Sequence, residues 1–241
     1  MDSINLGNFQ EEFRKLANPE RAKFSAYYFK TGKGQYAEGD VFLGGISTPT
    51  VKNFIKKYKD LPLSEIAKMV TSKYHEERSV ALGIVVTKYQ KAKTDDEKTL
   101  LYNFYLGNTK YINNWDLVDV TADKIVGKYI EENPKEIKIL DKFVISKSMW
   151  ERRISVMSTF AFIKSGSFDK TLEIVEKLMG DKEALIHKAT GWMLREIGKR
   201  DMNVEEKFLK KYYKQMPRTM LRYAIEKFPE DLRKSYLLGK I

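Results

Sequence analysis

The chain has 241 residues, with 44 Lys and Arg against 33 Asp and Glu, and no cysteine. That length buries a sizeable apolar core without staples, and the missing thiols exclude disulfides, zinc–thiolate sites, iron–sulfur clusters and thiol nucleophiles while suiting a reducing cytoplasm. The net charge of +11 favours a polyanionic partner, because neutralised phosphates release their counterions, although solubility alone is the plainer reading of a basic surface.

The first residues, "MDSINLGNFQEEF", lack a basic stretch followed by an apolar run, and no later segment approaches the length of apolar sequence that a membrane span needs. The chain is therefore expected to be soluble and cytoplasmic, with no membrane partner. Residues 29–49, "FKTGKGQYAEGDVFLGGISTP", hold five of the fourteen glycines. They contain no phosphate-loop pattern and do not lead from a strand into a helix as a dinucleotide fingerprint would. They read as a flexible connector near residues 31–45, or as an ordinary surface loop, with Lys30 and Lys33 placed to meet phosphate.

From there on, apolar residues recur at helical spacing, as with Val80, Ala81, Ile84 and Val85 in "RSVALGIVVTKYQ". No stretch alternates apolar and polar residues for long. Pro19, Pro49, Pro62, Pro134, Pro217 and Pro229 each precede or open a helical pattern, as the first turn of a helix allows. The fold class is all-α. "ERSVALGIVVTKY", "WDLVDVTADKIVG", "WERRISVMSTFAF", "HKATGWMLREIGK" and "PRTMLRYAIEKF" begin 38, 35, 37 and 30 residues apart. Such spacing predicts helix pairs stacked into a HEAT-like α-solenoid, a single domain over 1–241 whose concave face cradles an elongated ligand.

Within these helices, Trp115 and Asp119 lie one turn apart on one face, while Asp116 between them points elsewhere. Arg152 or Arg153 should face inward from the next inner helix, the adjacency leaving open which. Trp192 and Arg195 follow on another. If equivalent turns line one wall, two indoles, a carboxylate and a guanidinium converge, a set suited to a damaged nucleotide: indoles pack on the sugar or base, the guanidinium grips phosphate, the carboxylate stabilises positive charge on a sugar. The structural alternatives stand beside this. Trp150 reads as core, and Asp119 could instead pair with an arginine of the neighbouring repeat. His75 reads as a surface residue at a loop or helix start and His187 as a helix start, so neither suggests a metal site or a triad. From His187 to Ile241 there are 14 Lys and Arg against 7 Asp and Glu, a local surplus of +7 in which Lys210 and Lys211 are expected to meet phosphates.

"NNWDLVD", "MWERRISVM", "KATGWMLREIGK" and "FLGGISTP" together resemble the bacterial DNA alkylation repair proteins of the AlkD type, HEAT-like-repeat DNA glycosylases, from about Phe24 to Phe228. The resemblance implies that Asp119 is the catalytic carboxylate and that Trp115, Arg153 and Trp192 complete the catalytic group, with Tyr28 and Arg195 beside the DNA. It implies duplex DNA carrying bases alkylated at N3 or N7 as substrate, 7-methylguanine and 3-methyladenine among them, with the base left in or near the duplex. A monomer needing no metal or cofactor is expected. Asn114 stands where the best-known members carry a second tryptophan, and the glycine-rich insert is typical of a different subgroup. The rival function is a non-catalytic HEAT-like protein that binds branched or distorted DNA through its backbone.

Overall fold

The computed structural model describes residues 4–241, is about 70% helical, and has no strand among those residues, only an isolated bridge between Val41 and Tyr74. The all-α helical-repeat expectation is met. The chain divides into two compact units, one ending at Thr121 and the other running Ala122–Ile241.

Among the described residues the first unit holds seven α-helices: α1 (Leu6–Arg14), α2 (Pro19–Tyr28), α3 (Thr48–Tyr58), α4 (Leu63–Val70), α5 (His75–Lys91), α6 (Asp95–Gly107) and α7 (Trp115–Asp119). Side-chain oxygens start several of them. Asn5, Asn18 and Ser47 accept from amides three residues on, and Thr94 with Glu97 forms a reciprocal capping box at α6. Pro19 and Pro49 occupy first turns, where a missing N–H costs nothing. The core joins α1, α3, α4 and α5. Phe9 and Phe13 of α1 meet Phe54 and Tyr58 of α3 in edge-to-face contacts with ring centres 4.8–6.0 Å apart. Val80, Ala81, Ile84 and Val85 are all buried, so the stripe read from the sequence is the core face of α5. Val80, Ile84 and Val85, taken fully out of water, each contribute about 1.5–3 kcal/mol.

Residues 30–47 depart from the connector expected. Left-handed backbone at Lys30, Gly34, Gly39, Gly44 and Gly45 folds the segment through successive turns, and its far end is fastened on both sides. The Asn18 amide donates to the Leu43 carbonyl (3.0 Å) and the His75 amide to the Val41 carbonyl (2.9 Å). Both carboxylate oxygens of buried Glu76 accept from the Leu43 and Gly44 amides, each at 2.9 Å. A carboxylate desolvated by burial must find donors, and here the loop's own main chain supplies them.

The second unit holds α8 (Lys128–Glu132), α9 (Lys138–Val144), α10 (Met149–Ser158), α11 (Phe160–Lys164), α12 (Asp169–Lys177), α13 (Ala184–Gly198), α14 (Met202–Tyr212), α15 (Arg218–Ala224) and α16 (Glu230–Leu237), preceded by a wide, π-type turn over Asp123–Gly127. Pro134 opens a short 3-10 turn, and Pro217 and Pro229 precede α15 and α16. Its core runs along α10 and α13, where Ile154, Met157, Ile186, Ala189, Met193 and Ile197 are buried. Gly191 permits a close helix approach, since a Cβ there would lie 2.3 Å from the Met220 carbonyl oxygen of α15. No helix of the described residues is long and apolar enough to cross a membrane.

Candidate nucleic-acid interface and active site

The stretch "NNWDLVD" forms a short helix whose start is made by Asn114. Its side-chain oxygen accepts from the Trp115 amide at 2.8 Å, and the residue is wholly buried. Asparagine at this position thus acts as a cap, which a tryptophan could not do. At the other end, the Thr121 hydroxyl bonds back to the Leu117 carbonyl (2.6 Å) and meets the Tyr105 hydroxyl at 2.9 Å. Trp115 and Asp119 are the first and last residues of α7, both half-buried, and Leu117 and Val118 between them anchor the helix in the core.

The indole of Trp115 does not stand alone. It stacks on Phe29 (centres 5.4 Å apart, planes 17° apart) and meets Tyr28 edge-on at 6.3 Å. Phe29 stacks on Phe42 at 5.0 Å, and Phe42 on the imidazole of His75 at 4.6 Å. Four rings, two from the glycine-rich stretch 29–49 and one each from α5 and α7, thus form one pile. On its outer side α2 carries Phe24, Tyr27 and Tyr28 at 69%, 75% and 55% exposure, an aromatic face open to solvent. Lys30 lies over the Tyr27 ring at 4.6 Å, and Lys33 is exposed nearby in sequence.

His75 differs from the surface residue expected: it opens α5 as predicted, but it is 3% exposed. Nε2 lies 2.7 Å from Asp116 Oδ2 and Nδ1 3.2 Å from Asp40 Oδ2. Arg78, one turn on, donates to Asp40 Oδ1 at 2.6 Å. Burial works to depress the pKa of the imidazole, but hydrogen bonds to Asp116 and Asp40 outweigh it and carry the value up to about 9. Asp40 is held below the usual carboxylate range: burial opposes ionisation, and its bond to His75 and the charge of Arg78 prevail. Glu77, between them, takes Arg14 Nε at 2.6 Å and the Ser72 hydroxyl at 2.6 Å. The run His75–Glu76–Glu77–Arg78 is therefore four consecutive buried charged groups, each fastening a different piece of chain. Periodicity could not reveal it, since acids at a helix start are ordinary on an exposed first turn.

In the second unit Arg153 of α10 is buried and donates to the Leu185 carbonyl at the start of α13. Arg152 is not simply turned to solvent. It forms a two-pronged pair with Asp181, Nε to Oδ2 at 2.6 Å. Trp150 is buried, as expected. Trp192 is half-buried, tilted against Phe160 at 6.2 Å, with Nε1 donating to Glu196 at 3.2 Å. Glu196 also receives Lys199 at 2.6 Å, and these donors, working against burial, keep its pKa low. Arg195 pairs with Glu226. Lys210 and Lys211 lie in the last turn of α14, the first 3.5 Å from Glu206 and the second over the Tyr212 ring. His187 donates through Nε2–H to the Asp181 carbonyl at 2.6 Å.

The described residues form an all-α helical repeat, the chain carries a basic surplus, and α7 bears an indole and a carboxylate at its two ends. The chain belongs to the DNA alkylation repair enzyme family, whose sequence model matches residues 9–228. It is similar in fold to a solved structure described as a predicted DNA alkylation repair enzyme from Enterococcus faecalis, with a TM-score of 0.68 and 19% identity over 89% of this chain and 97% of that one. No curated protein matches the sequence.

Proposed function

We propose that the protein is a monofunctional DNA glycosylase that hydrolyses the N-glycosidic bond of purines alkylated at N3 or N7 in duplex DNA. The observation that carries this reading is α7 itself: an indole braced by a pile of rings, with the Asp119 carboxylate one turn away, in a chain of the alkylation repair family. A protein that only gripped phosphates would gain nothing from a carboxylate beside its ligand.

Alkylation leaves the base cationic, so it departs neutral and needs little acid catalysis. The sugar is what needs help as it becomes oxocarbenium-like. In the first unit Asp119 stabilises that charge and orients water, and Trp115 holds the deoxyribose; Trp192 and Arg153 are the second unit's candidates for sugar and phosphate contacts. Arg195, Lys30, Lys33, Lys210 and Lys211 contribute phosphate contacts, and Tyr28 an aromatic one, with the protein working as a monomer in the cytoplasm.

The test is single-turnover release of 7-methylguanine from duplex DNA, beside an abasic-site control, by the parent protein and Asp119→Asn. The parent should release base; the variant should lose most of that activity while binding undamaged duplex as well or slightly better, since one repulsion with phosphate is gone. Parental rates in Asp119→Asn would remove Asp119 from the chemistry. A parent that binds duplex and releases nothing would leave the family's DNA-binding role without glycosylase activity.

A further inference from the structure

The quartet of Asp40, His75, Arg78 and Asp116, buried except for a quarter of the Asp116 side chain, has no part in the reaction just described, yet it is joined to α7 by Asp116 and to the Trp115 indole by the ring pile. We propose that His75 is a positioning residue for Trp115: its imidazolium ties α7 to the glycine-rich segment through Asp116 and Asp40, and its ring completes the stack on which the indole rests. The inference rests on the glycosylase reading only insofar as it gives the indole a task.

Two routes run from His75 to the indole. One is polar, from Nε2 to Asp116 Oδ2 at 2.7 Å and along one peptide unit to Trp115. The other is aromatic, through Phe42 at 4.6 Å and Phe29 at 5.0 Å to the indole at 5.4 Å. Together they close a ring of contacts around the start of α7, so neither the backbone nor the plane of Trp115 can turn without disturbing His75. The charges explain why histidine suits this place. The groups facing it are Asp116 from α7, Asp40 from the glycine-rich segment and Arg78 from its own helix. With His75 protonated the quartet is neutral; with it neutral, a net negative charge is left around the buried imidazole and one carboxylate bond loses its donor. The protonated ring also gains from lying against the faces of Phe42 and Phe29. An asparagine or glutamine could bridge the carboxylates but could supply neither the charge nor the stack.

The experiment follows Trp115 fluorescence in a protein with Trp150 and Trp192 replaced by Phe, from about pH 7 to 10, beside the imidazole signals of the two histidines in nitrogen-15 NMR, His187→Gln assigning them. The indole emission should change with the midpoint at which His75 loses its proton, near the elevated value its partners impose, and Asp116→Asn should move both midpoints down together. At neutral pH and otherwise native sequence, His75→Gln should slow 7-methylguanine release about 10- to 100-fold, the cost of a misplaced group, with affinity for undamaged duplex changed less than about twofold. Titration of His75 without a change in indole emission overturns the proposal, as does parental excision by a folded His75→Gln. Should His75→Gln not fold, the titration of the histidine-containing protein still decides. Should the parent release no base, the glycosylase reading fails while the emission still shows whether His75 sets the indole.

Discussion

Gly44 and Ala22 meet main chain to main chain: a Cβ on Gly44 would lie 2.1 Å from the Ala22 amide nitrogen, with the backbone at φ +77°. The contact seats α2, whose own side chains bury little, on the segment that Glu76 holds from beneath. Gly44→Ala is therefore expected to cost about 2 kcal/mol or more, from left-handed strain and from overpacking against atoms that cannot rotate aside. Gly39→Ala, also at positive φ but with open space around it, should cost only the backbone part, about 1–2 kcal/mol. Urea unfolding of the two variants measures the difference, and equal losses would mean that α2 does not rest on Gly44.

Alkaline pH should weaken the fold. Glu205 of α14 is buried, and desolvation, more than the opposing charge of Arg195, pushes its carboxyl up to about 8. A folded pKa above the unfolded one means that the native state binds the extra proton, so this contribution is complete below 4.5 and is lost as pH rises through about 8. His75 acts in the same sense between 6.5 and about 9. Stability by urea unfolding should fall from pH 6 to pH 9, and Glu205→Gln should flatten the lower part of that slope. A stability that rises over this window would contradict both assignments.

The three tryptophans should separate by burial. Trp150→Ala empties a core position and should cost about 3–5 kcal/mol, with a matching drop in melting temperature. Trp115→Ala and Trp192→Ala, both half-buried, should lower stability less and excision far more. Of the two, Trp115→Ala should be the more damaging, since its indole closes the ring pile, whereas the hydrogen bond lost with Trp192 leaves Glu196 still holding Lys199 and Arg200. Thermal melts and single-turnover rates on the same samples check this; near-normal chemistry with a large stability loss would make them core residues.

Binding to undamaged duplex should be steeply salt-dependent, log K falling by roughly 0.9 per log unit of salt for each phosphate neutralised. Lys210→Glu with Lys211→Glu should weaken binding to all sequences alike and reduce the slope. Their present partners, Glu206 at 3.5 Å and the Tyr212 ring, are surface contacts of little worth, so the fold should survive. A slope near zero for the parent would deny a nucleic-acid partner.

The sequence by itself determined most of the helices, their proline-marked starts, the apolar stripe of α5, the buried Trp150 and the placement of Trp115 and Asp119 one turn apart on a helix, though that helix stops at Asp119 and does not run on to Gly127. Those features depend on residues a few positions apart, where a period of 3.6 and the chemistry of a first turn act directly. Only the tertiary structure decided what the charges do. His75 reaches Asp40 and Asp116 from 35 and 41 positions away, Glu76 takes amides 32 and 33 positions back, and Glu77 takes Arg14 from 63. At a helix start such residues look solvated, because local pattern carries no information on which distant donor will meet a buried carboxylate. The same holds for the glycine-rich segment, whose composition suggests freedom. Its left-handed positions are instead what lets the chain lie against α2 and present its amides to Glu76, a fit that exists only once both partners are folded.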